Sequence, residues 1–150
     1  MFKKPRNKWR NKKLTIDGIV FASTTEAYYY YSVIKPKIER KEITNFVPHP
    51  KFVIIENFFD KVSGKTVRGN SYIADFQYDA IDEADPSRLV RTYIIEIKGY
   101  PTPEYKLKWK LFLQQYCQND SENRKALIPI LIHVKNLKID AEFKQKFLKN

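Results

Sequence analysis

Residues 89–99 read LVRTYIIEIKG, rich in the β-branched and aromatic residues of a strand. Side chains alternate along a strand, so Tyr93, Ile95 and Ile97 share one face and Ile94, Glu96 and Lys98 the other. A buried strand would stay apolar throughout, and a solvated segment would not hold three isoleucines in four positions. The chain must build a sheet around this run and still give Glu96 and Lys98 a purpose. Gly99 follows without a side chain, which lets a bulky ligand approach the backbone.

The flanking sequence supplies the rest of the sheet. LTIDGIVFAS alternates around Asp17-Gly18 and predicts a small hairpin. Ser23 and Glu26 stand at capping-box spacing and start a helix through the four tyrosines 28–31, which Pro36 is expected to kink or interrupt. HPKFVIIENFF (49–59), GNSYIADFQYDA (69–80) and LVRTYIIEIKG (89–99), joined by short turns, predict a three-strand antiparallel meander. In the middle strand Tyr72, Ala74, Phe76 and Tyr78 are expected on the face opposite Asp75. Thr102-Pro103 opens a second helix whose inward face is Tyr105, Trp109, Phe112 and Tyr116. Beside it runs a polar stripe of Lys106, Lys110 and Gln114. ALIPILIHV (126–134) returns as a strand parallel to 89–99, by a right-handed crossover. DAEFKQKFLKN predicts a short amphipathic terminal helix. The fold class is α/β, a small mixed sheet flanked by helices, with residues 1–13 as a basic flexible arm and 14–150 as a single domain.

Length and composition fit that reading. With 150 residues, 43% hydrophobic and 15% aromatic, the chain has a core to bury. Its formal charge of +11 is uneven. Lys3, Lys4, Arg6, Lys8, Arg10, Lys12 and Lys13 fall in the first 13 residues with no acid among them, and the other 137 residues carry only +4. Such an arm points to a polyanion, of which nucleic acid is the usual one, although a basic tail on a ribosomal or membrane-surface protein looks the same; Trp9 in it is suited to stacking on a base or to docking the arm on the body. Cys117 is the single cysteine, which excludes an intrachain disulfide and fits a reducing compartment. His49 and His133 are isolated and read as structural. No apolar run reaches the roughly 20 residues of a membrane-spanning helix, and the basic N-terminus lacks the apolar core of a secretory signal.

In the meander, Asp75 and Glu96 lie on neighbouring strands. A carboxylate among aromatics in a strand is costly unless paired or bound to a metal, and two close carboxylates repel. A hard divalent cation removes the conflict; Mg²⁺ takes one or two carboxylates plus phosphate and water. Lys98 beside them can orient an attacking water. The chemistry is that of phosphodiester cutting. The alternative is an ordinary salt-bridge network. Glu26 likewise reads either as a metal-site residue or as a helix cap, and Lys106 and Lys110 either face a phosphate or form a solvated stripe.

Glu26 on the first helix, Asp75 on the second strand and Glu96-Ile97-Lys98 on the third resemble the PD-(D/E)xK nuclease superfamily. The strings STTEAYYY, SYIADFQY and IIEIKGYPTPEYKLKWKLF closely resemble a phage family long catalogued as a domain of unknown function and regarded as Holliday junction resolvase-like endonucleases. The resemblance spans roughly residues 8–135. Ala74 departs from the superfamily's proline before Asp75, as other branches also do. The resemblance implies a restriction-endonuclease-like core and a Mg²⁺ site, with Mn²⁺ as substitute, held by Asp75, Glu96 and Glu26. It implies Lys98 as catalytic lysine, and a branched or four-way DNA substrate nicked to leave a 5′-phosphate. It places the protein in the cytoplasm of a bacterial host, phage- or prophage-encoded. A homodimer is expected from the symmetry of a junction, with Tyr28–Tyr31, Phe58 and Phe59 as candidate contact aromatics. No membrane partner is expected.

The arm yields a direct expectation. Deleting residues 1–13 should weaken DNA binding and flatten its salt dependence, because each phosphate neutralised adds about 0.9 to the slope of log K against log salt. Stability should barely change. Titrations at several salt concentrations check this, and an unaltered affinity and slope would assign the arm another partner.

Overall fold

In the computed structural model, residues 13–84, 86–118 and 126–149 are described. All of the arm except Lys13, and so Lys3, Lys4, Arg6, Lys8, Arg10 and Lys12, lies outside them. The chain opens on the expected hairpin. Strands β1 (Leu14–Ile16) and β2 (Ile19–Phe21) pair antiparallel. Asp17 and Gly18 both adopt positive φ, 52° and 79°, as a two-residue hairpin turn of this kind requires.

Helix α1 (Thr24–Tyr29) starts where expected: the Ser23 hydroxyl accepts the Glu26 N–H at 3.2 Å. The helical run does not stop at Pro36. It passes through a π-helical stretch, Tyr30–Ile34, into α2 (Lys35–Glu39). The wider π winding immediately precedes Pro36, which sits in the first turn of α2, where a missing N–H costs least.

The central sheet has four strands. They are β3 (Thr44–Pro48), β8 (Phe76–Ile81), β9 (Val90–Lys98) and β10 (Ile128–His133), in the order β10-β9-β8-β3. The pairs β3–β8 and β8–β9 are antiparallel, while β10 runs parallel to β9, with Leu131 opposite Glu96. Three expectations need correction. The first strand of the meander in this sheet is Thr44–Pro48, not 49–59. The segment 49–59 divides into β4 (Lys51–Ile55) and β5 (Phe58–Asp60), and 69–80 divides into β7 (Asn70–Ile73) and β8. Strands β4 and β7 pair with each other, and β5 pairs with β6 (Lys65–Val67), so an antiparallel arm extends from the sheet. Gly69 lies so close to the Ile55 carbonyl that a side chain there would collide with backbone.

The division at Ala74-Asp75 also changes faces. Tyr72 and Ala74 pack with Ile54, Ile94 and Phe112 of helix α3 (Pro103–Tyr116), whereas Phe76 and Tyr78 pack on the other side of the sheet with Phe21, Ile34, Ile95 and Phe143. The four residues therefore do not share one face as regular alternation would have it. Helix α3 begins at its Thr102 cap with Pro103 in the first turn, and Tyr105, Trp109 and Tyr116 pack around Phe112, as the sequence predicts. The C-terminal segment forms α4 (Ala141–Phe143), capped by Asp140 and continued by a π turn, and it buries Phe143 against Tyr28 and Tyr31. Tyr30 is buried and Tyr29 stacks on Phe76. The tyrosine run is therefore committed to this core, while Phe58 and Phe59 stay exposed. Among the described residues no helix is long and apolar enough to cross a membrane.

Candidate active site

The break between β7 and β8 brings the candidate carboxylates together. The Asp75 N–H still donates to the Ile95 carbonyl at 3.1 Å, but the next acceptor on that edge is a side chain: Asp75 Oδ2 takes the Ile97 N–H at 2.6 Å. The aspartate thus stands in for a backbone carbonyl and is fixed next to Glu96. Only the strand irregularity allows this, since a regular residue 75 would turn its side chain away from the ladder plane.

Glu96 is 4% exposed and, among the described residues, is the buried charged residue of the core. Its Oε2 accepts the Tyr72 hydroxyl at 2.5 Å, and its Oε1 lies 3.6 Å from Lys98 Nζ. Burial and the charge of Glu96 hold the Tyr72 phenol far above its ordinary range, so it remains the donor. Lys98 Nζ also sits 4.1 Å from the centre of the Tyr105 ring, an arrangement favourable to a cation. The buried Tyr105 hydroxyl has no hydrogen-bond partner among the described residues.

The carboxylates are under electrostatic pressure. Burial, then the charges of Glu96 and Glu26, push the Asp75 carboxyl up to about 8; the Ile97 N–H and Lys98 oppose this without cancelling it. Burial raises Glu96 as well, against the lowering effects of Tyr72 and Lys98. Glu26 approaches from α1, where its carboxylate accepts the Ser23 hydroxyl at 2.8 Å. It closes the helix cap, and its charge also reaches Asp75, where it helps to raise the carboxyl.

Two cavities meet at Lys98. The larger, about 610 Å³, is lined by Ser23, Glu26, Lys98, Gly99 and Tyr100 among others. The smaller, about 310 Å³, is lined by Tyr72, Glu96, Lys98, Thr102, Tyr105 and Lys108 among others. Lys106 and Lys110 are exposed on α3 and line neither of these cavities. The α3 lysine beside the site is Lys108, whose Nζ pairs with Glu104 at 2.9 Å. The i, i+4 stripe of Lys106 and Lys110 does not include it, although Lys108 stands one turn before Phe112 and one turn after Glu104 in the sequence. In the sequence Tyr72 and Tyr105 read only as packing residues, since nothing local reveals that the Tyr72 hydroxyl meets Glu96 or that Lys98 lies over the Tyr105 ring.

The donor set suits a hard cation. Asp75, Glu96 and Glu26 offer oxygen only, and Asp75 and Glu96 are raised chiefly by burial, with the charge of Glu96 and Glu26 adding to it at Asp75 and that of Glu26 at Glu96, a burden that a divalent ion would relieve. Among the described residues no group of three or more His, Cys, Asp or Glu side chains is arranged to hold a metal by itself.

Residues 6–127 match the family model described as "Protein of unknown function (DUF1064)". The chain belongs to this family. The family match contains Glu26, Asp75, Glu96 and Lys98 and ends just before β10. No curated protein and no solved structure matches the chain.

Proposed function

We propose that the protein is a Mg²⁺-dependent DNA endonuclease of the PD-(D/E)xK type, with a restriction-endonuclease-like core, cutting branched DNA such as a four-way junction. The observation that carries this reading is the joining of Asp75, Glu96 and Lys98 at one strand break, with the Asp75 carboxyl raised to about 8 beside the buried Glu96. Asp75 and Glu96 would hold the cation, with Glu26 toward its outer shell or a second ion; Mn²⁺ is the expected substitute. When bound, the ion would supply positive charge to a phosphate and lower the pKa of a bound water.

The chain's own groups do the rest. Asp75, whose carboxyl burial and neighbouring charge push upward, would have to be deprotonated to hold the cation. The Tyr72 hydroxyl keeps Glu96 in one orientation, with Oε1 toward Lys98. Lys98 Nζ, set between Glu96 and the Tyr105 ring, positions the attacking water or stabilises charge on the phosphate. The basic arm with its seven cations tracks the DNA backbone. By resemblance the product is a nick with a 5′-phosphate, and the setting is the cytoplasm of a bacterial host carrying the gene on a phage or prophage.

The test is incubation with a synthetic four-way junction and a matched linear duplex, each with and without Mg²⁺. Cutting is expected only with the cation, and on the junction in preference. A second reading is a non-catalytic DNA-binding module. It is favoured by Glu96, whose two oxygens already face Tyr72 and Lys98, and binding without cutting in Mg²⁺ or Mn²⁺ would support it. Cutting of the linear duplex at a fixed sequence would instead indicate a restriction-type or transposase-partner nuclease.

The protein should act as a homodimer. A junction offers two strands of like polarity to cut at symmetric positions, and twofold dimers are the commonest oligomers. Exposed Phe58 and Phe59 on β5 are the aromatics left for such a contact. Light scattering on the protein and on its junction complex checks it. One copy per junction cutting both strands in one binding event would overturn it.

A further inference from the structure

Tyr100 is 82% exposed, immediately after Gly99 and two residues beyond Lys98. It lines the 610 Å³ cavity together with Glu26 and Lys98. That volume is in the range of small-ligand pockets, roughly 300–1,000 Å³. Other aromatics around the site are already in ring contact: Tyr105 with Trp109, and Tyr72 with Trp109 and Phe112. No ring partner is recorded for Tyr100 among the described residues. An exposed ring at the wall of a charged cavity is the arrangement by which proteins stack single nucleobases.

Gly99 adds a second observation. Its φ is not in the left-handed region, and an added Cβ would meet only Val134 Cγ2, at 3.7 Å, an ordinary contact. The backbone therefore does not require glycine at 99. What its missing side chain leaves is open space in the wall of the cavity that Tyr100 borders.

Resting on the nuclease reading and narrowing its substrate, we infer that this cavity receives one unstacked nucleotide of the DNA strand, with its base on the Tyr100 ring and its phosphate toward Lys98. A base in continuous duplex is stacked on both sides and cannot offer its face to a side chain. A base at a branch point, gap or bulge can. The preference for interrupted duplex would then arise at Tyr100, while the basic arm binds any DNA backbone.

The experiment reads binding rather than cutting, with the full-length protein in EDTA. Fluorescence anisotropy gives affinities for three labelled DNAs: a fully paired duplex, the same duplex with one extrahelical nucleotide, and that bulge with its base removed to leave an abasic site. Wild type should bind the bulged duplex about tenfold more tightly than the other two, as expected for one base stacked on a ring. Tyr100→Ala should lose this difference and leave paired-duplex affinity unchanged. Tyr100→Trp should keep it, and Gly99→Leu, which places a side chain in the cavity wall beside Tyr100, should lose it. Equal affinities of wild type for the bulged and abasic DNAs would overturn the inference. So would a Tyr100→Ala loss of equal size on all three. Because no cleavage is measured, an inactive protein that still shows the pattern would refute the nuclease reading and leave the stacking site standing.

Discussion

Asp75→Asn is expected to bring cleavage below a few per cent of the wild-type rate while leaving DNA binding nearly intact. The change removes one negative charge at almost constant volume. The asparagine oxygen can still accept the Ile97 N–H that Asp75 now takes at 2.6 Å, so the strand break should persist. What is lost is the anionic oxygen for the cation. Purified variant assayed on a four-way junction in Mg²⁺ checks the first part, and gel-shift titration the second; substantial residual cutting would remove Asp75 from the metal site.

The same substitution has a signature in stability. The Asp75 carboxyl is raised from 3.8 to about 8 in the folded chain. Between those values the folded protein holds a proton that the unfolded chain has released, so stability falls as pH rises. Its contribution is fully present below about pH 4 and lost as pH climbs through about 8. Asparagine does not titrate, so Asp75→Asn should flatten this slope and be the more stable protein in mildly alkaline buffer without divalent cations. Adding Mg²⁺ should raise the wild-type melting temperature, more at pH 8 than at pH 6, because the ion and the proton compete for one carboxylate. The variant should respond far less. Thermal melts across this range with EDTA or Mg²⁺ read both effects.

Lys98→Ala should lower the cleavage rate at least about a hundredfold, since charge stabilisation of this kind is worth about 3 kcal/mol or more in comparable sites. The lysine is held on both sides, by Glu96 at 3.6 Å and by the Tyr105 ring at 4.1 Å. Its removal leaves the carboxylates in place. Without its lowering influence Asp75 and Glu96 hold protons more tightly, but a positive charge that repels the cation is also gone, and with these effects opposed cation affinity at neutral pH should be little reduced. Single-turnover cutting and calorimetric Mg²⁺ titration separate these. Normal turnover with lost Mg²⁺ binding would make Lys98 a structural residue.

Local signals made much of the fold legible. The Asp17-Gly18 hairpin, the Ser23 and Thr102 caps, the two-faced strand through Glu96 and the parallel strand after α3 are each written in a few consecutive residues. What was not legible depended on distant partners. Strand β3 ends in proline and holds Asn45 at positive φ, and only pairing with β8 makes it a strand. The helix continues through Pro36 because the π turn before it is accommodated by packing of Tyr30 and Ile34 in the core. The break at Asp75 follows from its carboxylate capturing the Ile97 N–H, a contact 22 residues away in sequence. For the site, residue types on one strand pointed to Glu96 and Lys98, and the neighbouring strand to Asp75. Tyr72, Tyr105 and Lys108 join them only through tertiary packing.

The break at Asp75 also bears on how such a chain can drift in length. Regular strands transmit a one-residue insertion along their whole extent, turning every later side chain to the wrong side. Here the regular strands β7 and β8 end and begin on either side of residues 74–75, and Asp75 is anchored to β9 by its own N–H and by its carboxylate on the Ile97 N–H, as well as to the His49 N–H before β4. Additions or losses around the β5–β6 turn, most easily in steps of two residues, can alter the reach of the arm without moving the carboxylate. Descendants of one ancestral chain can thus diverge in how far they extend along a partner while inheriting the same reactive centre.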